Sequence, residues 1–194
     1  MSLKLPTAAT YFATLTCLLL GASTGMLVPN AQAQTATNKT IAPGDKAPDF
    51  ELPSEEGKKV KPSDFKGKVL VIFFYDKDNS PVTEQESKRI KETYKKLKLA
   101  NADVLGVGTD PVAAHKAMHT NLSLQYHLLT DKDDSVRKMY GLPSNASGAR
   151  GRYGVVIDKS GVVKKVAGGE QGMSDDDWNG MLDFIGSMAG GAGI

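Results

Sequence analysis

The chain has 194 residues, with 24 Lys and Arg against 22 Asp and Glu and a formal net charge of +2. That length is enough for one domain with a proper core, and the near-neutral balance without a Lys/Arg block argues against a nucleic-acid partner. A single cysteine, Cys17, excludes any disulfide or multi-thiolate metal site within the chain.

The N-terminus starts Met-Ser-Leu-Lys, runs largely apolar from Leu5 to Val28, and then shows Pro29 and Ala31-Gln32-Ala33. A basic start, an apolar middle and small residues at the last positions describe a secretory signal over residues 1–33, with the cut between Ala33 and Gln34. Thr14, Thr16, Gly21, Ser23, Thr24 and Gly25 dilute the apolar run, and no basic stop-transfer cluster follows. Removal is therefore expected rather than retention as an anchor, leaving no membrane segment and an exported protein in a periplasm or lumen. Cys17 falls inside this segment, so the processed chain would hold no sulfur nucleophile. Residues 34–40 read as a polar spacer, 41–188 as the folded domain, and the glycine-rich 189–194 as a tail that gains little by ordering.

Lys46 to Leu52 reads as an extended opening, and Glu55 to Lys58 as a turn from which Val60 starts the return. Val69 to Tyr75 is apolar on both faces, the pattern of a central buried strand. Ser80-Pro81 suits a helix start, since proline at the first position gives up no needed donor. From Thr83 to Leu99 the pattern is helical, with Ile90, Tyr94 and Leu97 in one stripe and Lys88, Arg89, Lys91, Lys95 and Lys96 largely outside it. Glu84, Glu86 and Glu92 interrupt that lysine face, which reads as solvated.

Asp103 to Gly108 follows as a buried strand, then a helix over Pro111 to His119 and a short strand at Leu128-Leu129. A further helix is expected from Asp133 to Tyr140, ended by Gly141. Tyr153–Ile157 and Val162–Val166 flank Asp158-Lys159-Ser160-Gly161, a hairpin signal. Ser174 caps a last helix whose Asp175, Asp176 and Asp177 suit the positive end of the dipole, with Trp178, Met181, Leu182 and Ile185 on its buried face. Alternating strands and helices closed by a hairpin and a helix indicate an α/β sandwich around a mixed sheet. Gly168-Gly169 and Gly172 read as turn residues, because they lack the strand-loop-helix setting of a phosphate loop.

Ala47-Pro48-Asp49-Phe50, Asp64-Phe65-Lys66-Gly67-Lys68, Val71 to Tyr75, His115-Lys116, Leu128 to Asp131, Tyr140-Gly141 and Arg152 to Asp158 occur in an order that resembles a peroxiredoxin. The likeness spans Ile41 to Val166 and is strongest to the bacterioferritin comigratory protein, or peroxiredoxin Q, branch. It implies a thioredoxin-like fold and, in the family, an antioxidant oxidoreductase. In that branch an aromatic-Pro step precedes a Thr-Pro-Gly-Cys-Thr stretch, whose cysteine attacks peroxide. Carried over without gaps, the first proline falls on Asp76, the threonine on Ser80, the next proline on Pro81 and the cysteine on Thr83. A resolving cysteine would fall on Lys88, and the family arginine on Arg152.

A helix N-terminus and a nearby arginine lower a thiol's pKa, and the thiolate then enters an oxidation ladder closed to a hydroxyl. The resemblance therefore implies a scaffold whose electron carrier is missing, with no cofactor and with a protein partner in an envelope or lumen as the expected use. The alternative is an antioxidant oxidoreductase using chemistry without cysteine. Asp76 and Arg152 are expected to pair across the vacated site. Thr83 as a nucleophile would need a base and an orienting partner, for which Asp76 is the one nearby candidate. His115 and His119, spaced i, i+4, are weak metal candidates with His127 as a distant third; a surface histidine pair is the plainer expectation.

Overall fold

The computed structural model describes residues 39–143, 151–169 and 172–188. The expected leader, most of the spacer and the glycine-rich end lie outside the described residues. Eleven elements follow in order: β1 (Leu52–Pro53), β2 (Lys59–Val60), β3 (Val69–Phe74), α1 (Pro81–Leu99), β4 (Ala102–Gly108), α2 (Val112–Leu122), β5 (His127–Thr130), α3 (Ser135–Met139), β6 (Arg152–Ile157), β7 (Val163–Gly169) and α4 (Asp175–Met188). A single 3-10 turn, Pro62–Phe65, precedes β3.

The main sheet has five strands in the order β5-β4-β3-β6-β7. β3, β4 and β5 run parallel, while β6 and β7 are antiparallel to their neighbours. This is the mixed thioredoxin-like sandwich expected of the sequence. All six residues of β3 are buried, because it is central and covered on both faces. Its side chains alternate by the strand period of two. Val69, Val71 and Phe73 join Tyr75 in one core with Ile90 and Leu97 of α1 and Trp178, Met181 and Ile185 of α4. Leu70, Ile72 and Phe74 enter the opposite core with Phe50, Leu105, Val136 and Tyr140. Burying one such apolar side chain is worth about 1.5–3 kcal/mol, so β3 is the chief adhesive between the layers. Leu182 is only half-buried, at the rim of the α4 face.

Several element ends move for identifiable reasons. α2 continues to Leu122, beyond the expected His119, and stops where Ser123 turns left-handed at φ 49°. α3 starts two residues later than expected because Asp134 turns left-handed at φ 57°, and Asp131 then serves the opening turn. The Asp131 carboxylate accepts the backbone N–H groups of Ser135, Val136 and Arg137 at 2.9–3.0 Å, satisfying donors that a helix start leaves open. The β6–β7 turn forms as expected, with Asp158 accepting from the Ser160 and Val162 N–H groups at 2.8 and 3.0 Å. Ser174 caps α4 by accepting from Asp177 N–H at 3.0 Å. Glu55 lies in the expected turn, is 4% exposed and accepts from Leu128 N–H at 3.0 Å. Among the described residues no helix is long and apolar enough to cross a membrane.

Candidate functional site

The carboxyl end of β3 places the residues singled out from the sequence. Asp76 follows Tyr75, half-buried, and Ser80 precedes the first turn of α1. The Ser80 carbonyl accepts from Glu84 N–H at 3.0 Å, although its hydroxyl makes no capping bond. Thr83 is the third residue of α1 and 1% exposed. It shares a buried helix stripe with Glu86, Ser87, Ile90 and Leu97. Lys88, on the next turn, is exposed and lies 3.8 Å from Glu84. Phe74 pairs with Tyr153 across the β3–β6 ladder, so Arg152 at the start of β6 comes to the same end of the sheet as Asp76.

The described ion pair of Arg152 is nevertheless with Glu86, not with Asp76. Its Nε donates to Glu86 Oε1 at 3.0 Å, and both side chains are largely covered. The expected Asp76 pairing gives way because Glu86 lies on the inward stripe of α1, three residues after Thr83, where its carboxylate meets β6. The reading of Glu86 as one more charge on a solvated face is corrected with it. Burial pushes the Glu86 carboxyl upward in pKa, and the Arg152 charge and hydrogen bond only partly oppose that. Gly172 makes room for the guanidinium: at φ +97°, a Cβ there would lie 2.0 Å from Arg152 Nη2. It had read as a mere turn residue.

The histidines separate. His115 is fully buried rather than on the surface, and its Nδ1 lies 2.7 Å from Asp78 Oδ2. The Tyr75 hydroxyl donates to Asp78 Oδ1 at 2.8 Å and lies 3.3 Å from the same histidine nitrogen. Asp78 N–H donates to Asp110 Oδ2 at 3.0 Å, so the segment between β3 and α1 is held from two sides. His119 instead lies 3.8 Å from Glu55, and His127 Nδ1 lies 2.9 Å from the same carboxylate. No group of three or more metal-ligating side chains occurs among the described residues. Asp78 had no signal of its own in the sequence, because its partners come from a strand end and from a helix beyond the next strand.

A model of the AhpC/TSA family matches residues 43–166, which include every one of these side chains except Gly172. The chain belongs to the AhpC/TSA family. Chloroplastic peroxiredoxin Q of Suaeda salsa is 39% identical over 127 residues, covering 65% of this chain and 59% of the relative. Its counterpart from Arabidopsis thaliana is 40% identical over 124 residues, covering 63% and 57%. The chain thus spans less than two thirds of the length of these relatives. Peroxidoxin BcpB from Mycobacterium tuberculosis superposes with a TM-score of 0.67 at 25% identity, over 77% of this chain and 96% of that one. A cysteine-to-serine mutant of peroxiredoxin Q from Xylella fastidiosa gives 0.69 at 18% identity, over 77% and 98%. These likenesses put the AhpC/TSA domain in the bacterioferritin comigratory protein and peroxiredoxin Q branch.

Proposed function

We propose that this AhpC/TSA protein is a binding or scaffold subunit that does not perform thiol peroxidase chemistry. The supporting observation is Thr83, fully buried in the first turn of α1 at the position where the family resemblance puts the attacking sulfur. A hydroxyl cannot be oxidised to a sulfenic acid and returned through a disulfide. The lone Cys17 is remote in sequence from that turn. Arg152, which the resemblance assigns to a thiolate, is engaged by Glu86 instead.

The place of action is a compartment reached by a targeting segment, a periplasm or lumen, where the domain binds a protein partner. The pattern of residues 1–33 supports this reading, and so do relatives that are themselves chloroplastic. The purified protein without residues 1–33, and so without Cys17, is expected to consume no hydrogen peroxide above a buffer control in the presence of a thiol reductant. Measurable consumption would overturn the proposal, and would equally reveal an antioxidant activity that uses no sulfur. A Thr83→Cys variant tells how much of the pocket survives: peroxide turnover would show an otherwise competent site, while inertness would point to Asp76 and Ser80 as further losses.

A further inference from the structure

At the amino end of β3, away from Thr83, the 3-10 turn, the opening segment and the β6–β7 turn enclose a cleft of about 160 Å³. We propose that this cleft binds a small aromatic carboxylate. Leu70, Ile157, Phe65 and Pro62 give it an apolar interior. An apolar cavity of about 150 Å³ is known to take a benzene ring, so the volume suits one ring and little more. Phe65 offers that ring an aromatic neighbour.

The rim decides the charge of the ligand. Lys46, Lys66 and Lys159 line the opening and form no ion pair among the described residues, whereas Lys68 is shared with Asp103 at 3.5 Å. The two acidic side chains in the lining are already engaged. Asp49 accepts from Ser63 N–H at 3.1 Å. Asp158 holds the turn and pairs with Lys164 at 3.0 Å. Burial alone would raise the Asp158 pKa, but the bonds from Ser160, Val162 and Lys164 outweigh it and keep the group ionised. Three ammonium groups without an ion pair among the described residues thus outnumber Asp49, the one lining carboxylate that has no cationic partner there, an arrangement that favours an anion carrying an apolar body.

The walls are tied together before any ligand arrives. Gly67 N–H donates to the Lys159 carbonyl at 3.2 Å, and Ala47 N–H to the Gly161 carbonyl at 2.9 Å. Preformed walls lower the ordering cost of binding. The cleft and Thr83 lie at opposite ends of β3, so the two proposals stand or fall separately.

The test is a backbone-amide NMR titration of the purified protein with phenylacetate, phenylacetamide and acetate. Phenylacetate is expected to shift the amides of 65–68 and 159–161 saturably while those of 83–87 stay in place. Two exposed charge pairs together are worth about tenfold in affinity, so phenylacetamide, and a Lys66→Glu/Lys159→Glu variant titrated with phenylacetate, should each bind about tenfold more weakly. Acetate, lacking the ring, should give no saturable shift. Ala47→Phe, checked for fold by circular dichroism, should occlude the slot and abolish binding. No saturable shift by about 10 mM phenylacetate, the weakest affinity that ordinary per-atom efficiency allows such a ligand, overturns the proposal. Equal binding of the amide, or of the charge-reversed variant, overturns it as well.

Discussion

Asp78→Ala tests the buried cluster that fixes the segment leading into α1. The carboxylate accepts from the Tyr75 hydroxyl at 2.8 Å and lies 2.7 Å from His115 Nδ1, with Asp78 itself 6% exposed and its partners more deeply buried. Removing it leaves a hydroxyl and an imidazole nitrogen without their shared partner, in a place water does not reach. Two orphaned buried groups at about 1–3 kcal/mol each, partly relieved by the 3.3 Å contact between them, should destabilise the domain by about 2–4 kcal/mol. Against a total stability of about 5–15 kcal/mol, that is a large fraction. Tyr75→Phe in the Asp78→Ala background removes one of the orphans. The double variant should therefore be more stable than the sum of the single effects predicts, by about 1–2 kcal/mol. Urea unfolding followed by far-UV circular dichroism, with a constant slope, measures both quantities. A cost below about 1 kcal/mol for Asp78→Ala, or strict additivity with Tyr75→Phe, would refute the reasoning.

His127→Gln addresses pH. The hydrogen bond that His127 donates to the Glu55 carboxylate raises the His127 pKa above its ordinary 6.5 against the opposing effect of burial, so its stabilisation is complete below 6.5 and is lost as pH rises through the folded value. Burial alone would raise the Glu55 pKa, but the bonds from His127 and Leu128 hold it below 4.5, and its contribution disappears on acidification. The natural protein should lose about 0.5–1 kcal/mol on the alkaline side of 6.5, discounted for the half-exposed imidazole, and the variant should be flat there in urea titrations at several pH values. Gly168→Ala should cost about 2–4 kcal/mol, because the residue has φ +89° and a Cβ would lie 2.2 Å from the Arg152 carbonyl oxygen. Thermal unfolding of the two proteins side by side reports that loss.

Strand and helix positions were legible because they follow from short-range periodicity. The doubly apolar, β-branched and aromatic run at Val69–Tyr75 reads as a covered strand, and Ser80-Pro81 favours a helix start. Glu86 and His115 were misread, and the burial of the turn residue Glu55 was not foreseen, for one common reason. A charged or polar residue looks solvated in a one-dimensional pattern, and whether it is buried depends on a partner distant in sequence: Arg152 lies 66 residues from Glu86, and His127 lies 72 from Glu55.

The sequence by itself determined the order of strands and helices, through local apolar spacing, while its motifs carried the resemblance to the family and its residue at position 83 is Thr rather than Cys. Only the tertiary structure decided that Arg152 is held by Glu86, that His115 belongs to the core, and that three lysines with no ion pair among the described residues gather around one slot. Those outcomes depend on which strands become neighbours. β3 pairs with β4, the next strand, and with β6, three strands further along the chain, and no local pattern records that choice.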